Sequence, residues 1–161
     1  MKDRIIAGLL AGAAGTTALN AVTYADMALR GRPGSEVPEQ LVAEIAGRAG
    51  LDLGDEETVS NRRQGLAALL GFGVGLGVGA AYGLTGGPCT RGGRGGIAAG
   101  ALALTVAALV GSDVPATALG LTDPREWPAE AWLSDLVPHL AYGVVTAVAY
   151  DRLTGPRRRR R

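Results

Sequence analysis

Residues 64–90 read QGLAALLGFGVGLGVGAAYGLTGGPCT, with no charged side chain, between Arg62 and Arg63 on one side and Arg91 on the other. As a helix rising 1.5 Å per residue, the apolar centre Leu66–Leu84 extends about 28 Å, close to the thickness of one bilayer core. Three further apolar runs accompany it, Ile5–Leu29, Gly95–Ser112 and Trp132–Tyr150. The expected fold is therefore all-α: an integral membrane four-helix bundle forming a single membrane domain over residues 1–161. Its spans fall at about 5–29, 64–85, 95–112 and 132–151. Segments 30–62 and 113–131 connect them, and 154–161 is a basic tail.

Composition alone does not separate this class from a soluble bundle, because 47% hydrophobic residues is ordinary for either. Distribution does. The charged residues, 19% of the chain, lie between the apolar runs. A soluble bundle would need a polar stripe on each helix, and Gly65–Gly87 offers none. Aromatics supply only 4%, and Gly and Ala much of the bulk, which suits close helix packing in lipid. The apolar run after Lys2 and Arg4 resembles a signal peptide. It continues to about Ala25 without a clean small-x-small cleavage site, and reads as a retained first helix. The single cysteine, Cys89, excludes an internal disulfide and a cysteine zinc cluster. One lysine against many arginines, with abundant Ala and Gly, points to a GC-rich bacterial source.

Charge sets the expected orientation. The N-terminus (Lys2, Asp3, Arg4), the 88–93 turn with Arg91 and Arg94 beside it, and the tail with Arg157, Arg158, Arg159, Arg160 and Arg161 are net basic. Arg30–Arg63 carries five basic and seven acidic residues, and Asp113–Asp135 one basic and five acidic. Basic ends stay on the cytoplasmic side, so both termini are expected inside a bacterial cytoplasmic membrane and both acidic connections outside. The arginine tail then meets lipid headgroups rather than nucleic acid.

The outer connections carry helix signals of their own. Ser35-Glu36-Val37-Pro38-Glu39 opens like a helix, Val37, Leu41 and Ile45 recur every four residues, and Gly50 closes the run. This predicts a short amphipathic helix, on the membrane surface or on the protein's own outer face. Asp123-Pro124-Arg125-Glu126 is a second helix start, followed by Trp127 and Trp132 as interface anchors.

Glycine marks the expected packing faces. Gly71, Gly75, Gly79 and Gly83 stand four apart, and Gly8/Gly12 and Gly96/Gly100 repeat the spacing. Such stripes serve packing within one chain or a seam between two copies. An internal repeat is also visible. An offset of 68 aligns Gly75 with Gly143, Ala81 with Ala149 and Tyr82 with Tyr150, while an offset of 88 aligns Gly8 with Gly96, Gly12 with Gly100 and Thr17 with Thr105. The chain then reads as two parallel helix-pair repeats about an axis along the membrane normal.

Ionisable and polar residues at membrane depth are the candidate site: Asn20, Tyr24, Asp26, Asp113, Asp135 and His139, all in the outer half of the expected bundle. Asp135 and His139 share a helix face. The competing reading is that the three aspartates are wet helix ends. No metal, haem or nucleophile–base motif is recognisable, so no cofactor and no enzymatic activity are expected. Two function classes follow: a structural or partner-binding membrane protein whose partners are lipids, a second copy or another membrane protein, and, as the alternative, a small transporter or channel for protons or a polar solute.

The pattern His139-x-x-x-Gly143 followed by Tyr150, with its echo Gly75 and Tyr82, resembles small bacterial inner-membrane proteins of the YagU-like kind. The resemblance implies a glycine-rich four-helix membrane unit over most of the chain and a role in envelope homeostasis or stress tolerance. The first-half position matching His139 is Gly71, so a paired-histidine feature is missing.

Overall fold

The computed structural model describes residues 1–87 and 94–155, and every regular element among them is helical. Five α-helices follow one another: α1 (Lys2–Arg30), α2 (Val37–Arg48), α3 (Glu56–Thr85), α4 (Arg94–Ala118) and α5 (Ala129–Thr154). The 88–93 turn with Cys89 and the Arg157–Arg161 run lie outside the described residues.

Local chemistry sets the helix ends. Asp55 caps α3, accepting the Thr58 N–H at 3.0 Å and the Thr58 hydroxyl at 2.7 Å. Gly86, at φ +76°, ends α3 in the left-handed conformation that glycine adopts without strain. Ahead of α2, Ser35 Oγ accepts the Val37 N–H at 3.3 Å, and Pro38 lies in the first turn, where its missing N–H is harmless.

The second outer connection corrects the sequence expectation. Asp123 does start a helical turn, but only the 3₁₀ segment Pro124–Glu126 forms. Trp127 precedes Pro128, which disfavours helical backbone at Trp127, and its ψ of 128° is extended.

The neighbours of each glycine give the helix directions. Gly8 lies against Gly79 and Gly83, and Gly12 against Gly75 and Gly79, so α1 and α3 run antiparallel. Gly15 meets Tyr142 and Thr146 of α5, while Gly143 meets Ala101 and Thr105 of α4. The order across the bundle is α3–α1–α5–α4, with a slimmer α3–α4 contact that includes Gly111 near Val74. The 31–36 and 119–128 connections therefore lie at the same end. There α2 packs on α3 and α4, burying Leu41, Val42 and Ala46. Ile45, expected on its apolar face, is exposed.

The core inverts the usual order of sizes. Its buried residues include Ala7, Ala11, Ala101, Ala108 and Ala147, with Tyr82, Leu104, Tyr142 and Tyr150 as the large members. Leu10, Leu69, Leu102, Val106, Val110, Leu136, Leu140 and Val144 are exposed.

Three helices, α1, α3 and α4, are long and apolar enough to cross a membrane. α5, expected as the fourth span, is not among them. Asp135, Pro138, His139, Tyr142 and Tyr150 lower its overall apolarity.

Candidate functional site

The glycine seam fixes everything around it. A methyl group at Gly79 would overlap the Gly8 carbonyl and stand 2.8 Å from the Gly12 Cα, so the α1 and α3 backbones touch. Gly75 abuts the Thr16 hydroxyl, and Gly83 the Arg4 carbonyl. These contacts give the expected glycine stripe an internal role at Gly8, Gly12, Gly75, Gly79 and Gly83. Gly71 departs from it, with open space where its side chain would be. The Tyr142 ring enters beside Gly15 and Gly75, and its hydroxyl donates to the Gly75 carbonyl at 2.7 Å. In the second pair Gly143 makes the corresponding close approach, while Gly100 is buried and Gly96 half-buried.

One contact recurs in both helix pairs, in a register one residue from the expected one. Gly75 abuts Thr16 Oγ1, and Gly143 abuts Thr105 Oγ1. Thr16 bonds the Gly12 carbonyl as Thr105 bonds the Ala101 carbonyl, at 2.9 and 2.8 Å. Thr105 thus corresponds to Thr16, an offset of 89, and not to Thr17. The two halves then differ in a size exchange: Gly15 and Tyr142 on one side stand where Leu104 and Val74 stand on the other.

The polar residues divide into two groups at the connection end. In the first, Asp26 accepts from Arg30 Nε at 2.7 Å and from Arg32 Nε at 2.6 Å. Arg30 continues to Ser134 Oγ and so ties α1 to α5. Beside this group lies a groove of about 240 Å³, with Val22, Leu133, Val137 and Pro138 as apolar walls. Sequence reasoning set Asp26 with the other aspartates, whereas its partners are the two arginines.

The second group spans α4 and α5. His139 Nδ1 lies 2.8 Å from the Asp135 carbonyl and 3.3 Å from Asp135 Oδ1. His139 Nε2 lies 3.3 Å from Ser112 Oγ, which is 2.9 Å from Asp113 Oδ1. Asp113, Asp135 and His139 are thus brought together as expected, through a residue the sequence reading missed. Ser112 carried no signal, because a lone serine within an apolar helix looks like small-residue filler. Tyr24, 63% exposed, and the half-buried Asn20 join neither group.

The order Ser112–His139–Asp135 matches that of a hydrolytic triad. Its setting does not. Ser112 Oγ lies 3.2 and 3.1 Å from the Ala108 and Leu109 carbonyls, which compete for its proton. Ser112 also sits inside α4, where backbone N–H groups are committed to the helix and cannot hold an oxyanion. Among the described residues no group of three or more His, Cys, Asp or Glu could hold a metal ion. The arrangement suits proton exchange better than bond cleavage.

No family model, curated protein or solved structure matches the chain.

Proposed function

We propose that the chain is a four-span protein of a bacterial cytoplasmic membrane, with a structural or partner-binding role in the envelope and no enzymatic activity. The observation that carries this reading is the size inversion: small residues inside, large aliphatic ones outside. In water such a surface is an extended apolar patch, whereas in lipid it is the solvated surface. α5 fits as the fourth span because its polar residues turn inward. Leu136, Leu140, Val144 and Val148 form its exposed stripe, while Tyr142, Thr146 and Tyr150 are buried. Both acidic connections sharing one end agrees with an outside location, and both termini then lie in the cytoplasm. The envelope role of YagU-like proteins is consistent with this reading.

A structural or binding module is favoured over a channel by what lies beneath the polar groups. Tyr142, Tyr150, Leu104 and Thr146 are fully buried there, and the helices meet backbone to backbone. This leaves little room for a solute path. A proteoliposome flux assay comparing wild type with His139→Ala tests the choice. Equal, background-level flux in both supports the module, and flux that the substitution abolishes overturns it.

A further inference from the structure

We propose that Asp113, Ser112, His139 and Asp135 form a proton relay across the α4–α5 interface. The inference rests on the membrane reading only for its setting, since the geometry stands in any solvent. His139 Nδ1 faces two acceptors, the Asp135 carbonyl at 2.8 Å and Oδ1 at 3.3 Å, so it carries a hydrogen. In the neutral ring Nε2 is then an acceptor, facing the Ser112 hydroxyl at 3.3 Å. Ser112 in turn donates toward Asp113 Oδ1 at 2.9 Å, and its single hydroxyl hydrogen reaches His139 Nε2 by rotating away from this oxygen and from the Ala108 and Leu109 carbonyls at 3.2 and 3.1 Å. Each link joins a group able to give a proton to one able to take it.

The transfer balances without a further reactant. A protonated Asp113 passes its proton to Ser112 Oγ as the Ser112 hydroxyl proton moves to His139 Nε2. The imidazolium then releases the Nδ1 proton to Asp135 Oδ1. One proton has moved from Asp113 to Asp135, Ser112 is regenerated, and the ring has changed tautomer.

Charged groups around the relay are few. α4 contributes Asp113 and α5 Asp135. From α1, Arg30 reaches α5 at Ser134 and pairs with Asp26, which Arg32 of the following connection also contacts, and Glu130 lies near Arg30. No charged side chain of α2 or α3 makes a hydrogen bond or ion pair with the four residues, among those described. Pro138 and Pro115, one beside His139 and one after Asp113, each remove a helix N–H and loosen the ladder at the relay.

The chain has one histidine, so nitrogen-15 NMR of histidine-labelled protein in lipid nanodiscs reports this ring alone. The relay predicts that neutral wild-type His139 is the Nδ1–H tautomer. It also predicts that Ser112→Ala and Asp113→Asn each displace the histidine titration midpoint by about half a pH unit or more, and that Ser112→Thr keeps it near wild type. A wild-type Nε2–H tautomer overturns the proposal, as does a midpoint that either Ser112→Ala or Asp113→Asn leaves in place. If those variants fail to fold, the wild-type tautomer decides. A failure here leaves the span assignment untouched, because that is read from labelling and not from this spectrum.

Discussion

Tyr82 and Tyr150 meet edge to face with ring centroids 5.1 Å apart and planes at 80°, at the junction of the two helix pairs. They stand 68 residues apart, one on α3 and one on α5, the offset at which the sequence reading aligns the two helices. The contact ties α3 to α5, which pack chiefly through α1 and not against each other. The Tyr150 hydroxyl also reaches the Gly83 carbonyl at 3.5 Å, extending the link to the α1–α3 seam.

The seam predicts a graded response to alanine. Gly79→Ala and Gly143→Ala place a methyl against backbone atoms of the facing helix, which cannot yield as a side-chain end would. Each is expected to cost about 1–3 kcal/mol. Gly73→Ala and Gly77→Ala face open space and are expected to be neutral or to gain up to about 1 kcal/mol of helix propensity. Thermal or denaturant unfolding in micelles checks the contrast, and equal effects at all four positions would contradict the packing.

Tyr142 inserts between α1, α3 and α5, and its hydroxyl bond to Gly75 is neutral and buried. Tyr142→Phe keeps the ring and is expected to lose about 1 kcal/mol. Tyr142→Ala should lose about 3–5 kcal/mol, by analogy with other buried aromatics. The same unfolding assay compares them.

The cap of α3 gives a pH dependence outside the expected spans. Hydrogen bonds from the Thr58 hydroxyl and backbone hold Asp55 below the usual carboxylate range. A depressed acid stabilises the fold above its unfolded-state pKa, and that contribution is lost as pH falls through the folded-state value. Amide exchange over Glu56–Val59, corrected for the intrinsic pH effect, should therefore speed up in acid. Asp55→Ala should show the faster exchange at neutral pH and little further change.

The non-enzymatic reading predicts that a fluorophosphonate probe does not label Ser112 in intact protein. Labelling lost in Ser112→Ala would contradict it.

Much of this architecture was legible in the charge-free runs, since apolar length and flanking arginines constrain helices directly. The orientation of each glycine was not. Gly71 and Gly75 have identical spacing signals, and what distinguishes them is that Gly75 meets Thr16 of α1 and Tyr142 of α5 whereas Gly71 meets nothing, contacts that come from other helices. The one-residue error in repeat register has the same origin, because Gly- and Ala-rich helices align almost equally well at adjacent offsets. Within the site, the Asp135–His139 pair was visible from its spacing of four. Ser112 and the Arg30–Asp26–Arg32 group needed contacts between or beyond helices that no spacing encodes.

The central claim is a bundle of four spans with both connections outside. Cysteine accessibility tests it most directly, using Ser35→Cys, Asp123→Cys and Gly155→Cys, each in a Cys89→Ser background, with the unsubstituted protein, which keeps Cys89, as a separate control. The account predicts that an impermeant maleimide labels positions 35 and 123 on intact cells and Cys89 only after permeabilisation. Labelling of position 35 without position 123 in intact cells would contradict α4 as a span, labelling of a Gly155→Cys variant, just beyond α5, in intact cells would contradict the fourth span, and labelling of positions 35 and 123 only after permeabilisation would reverse the orientation.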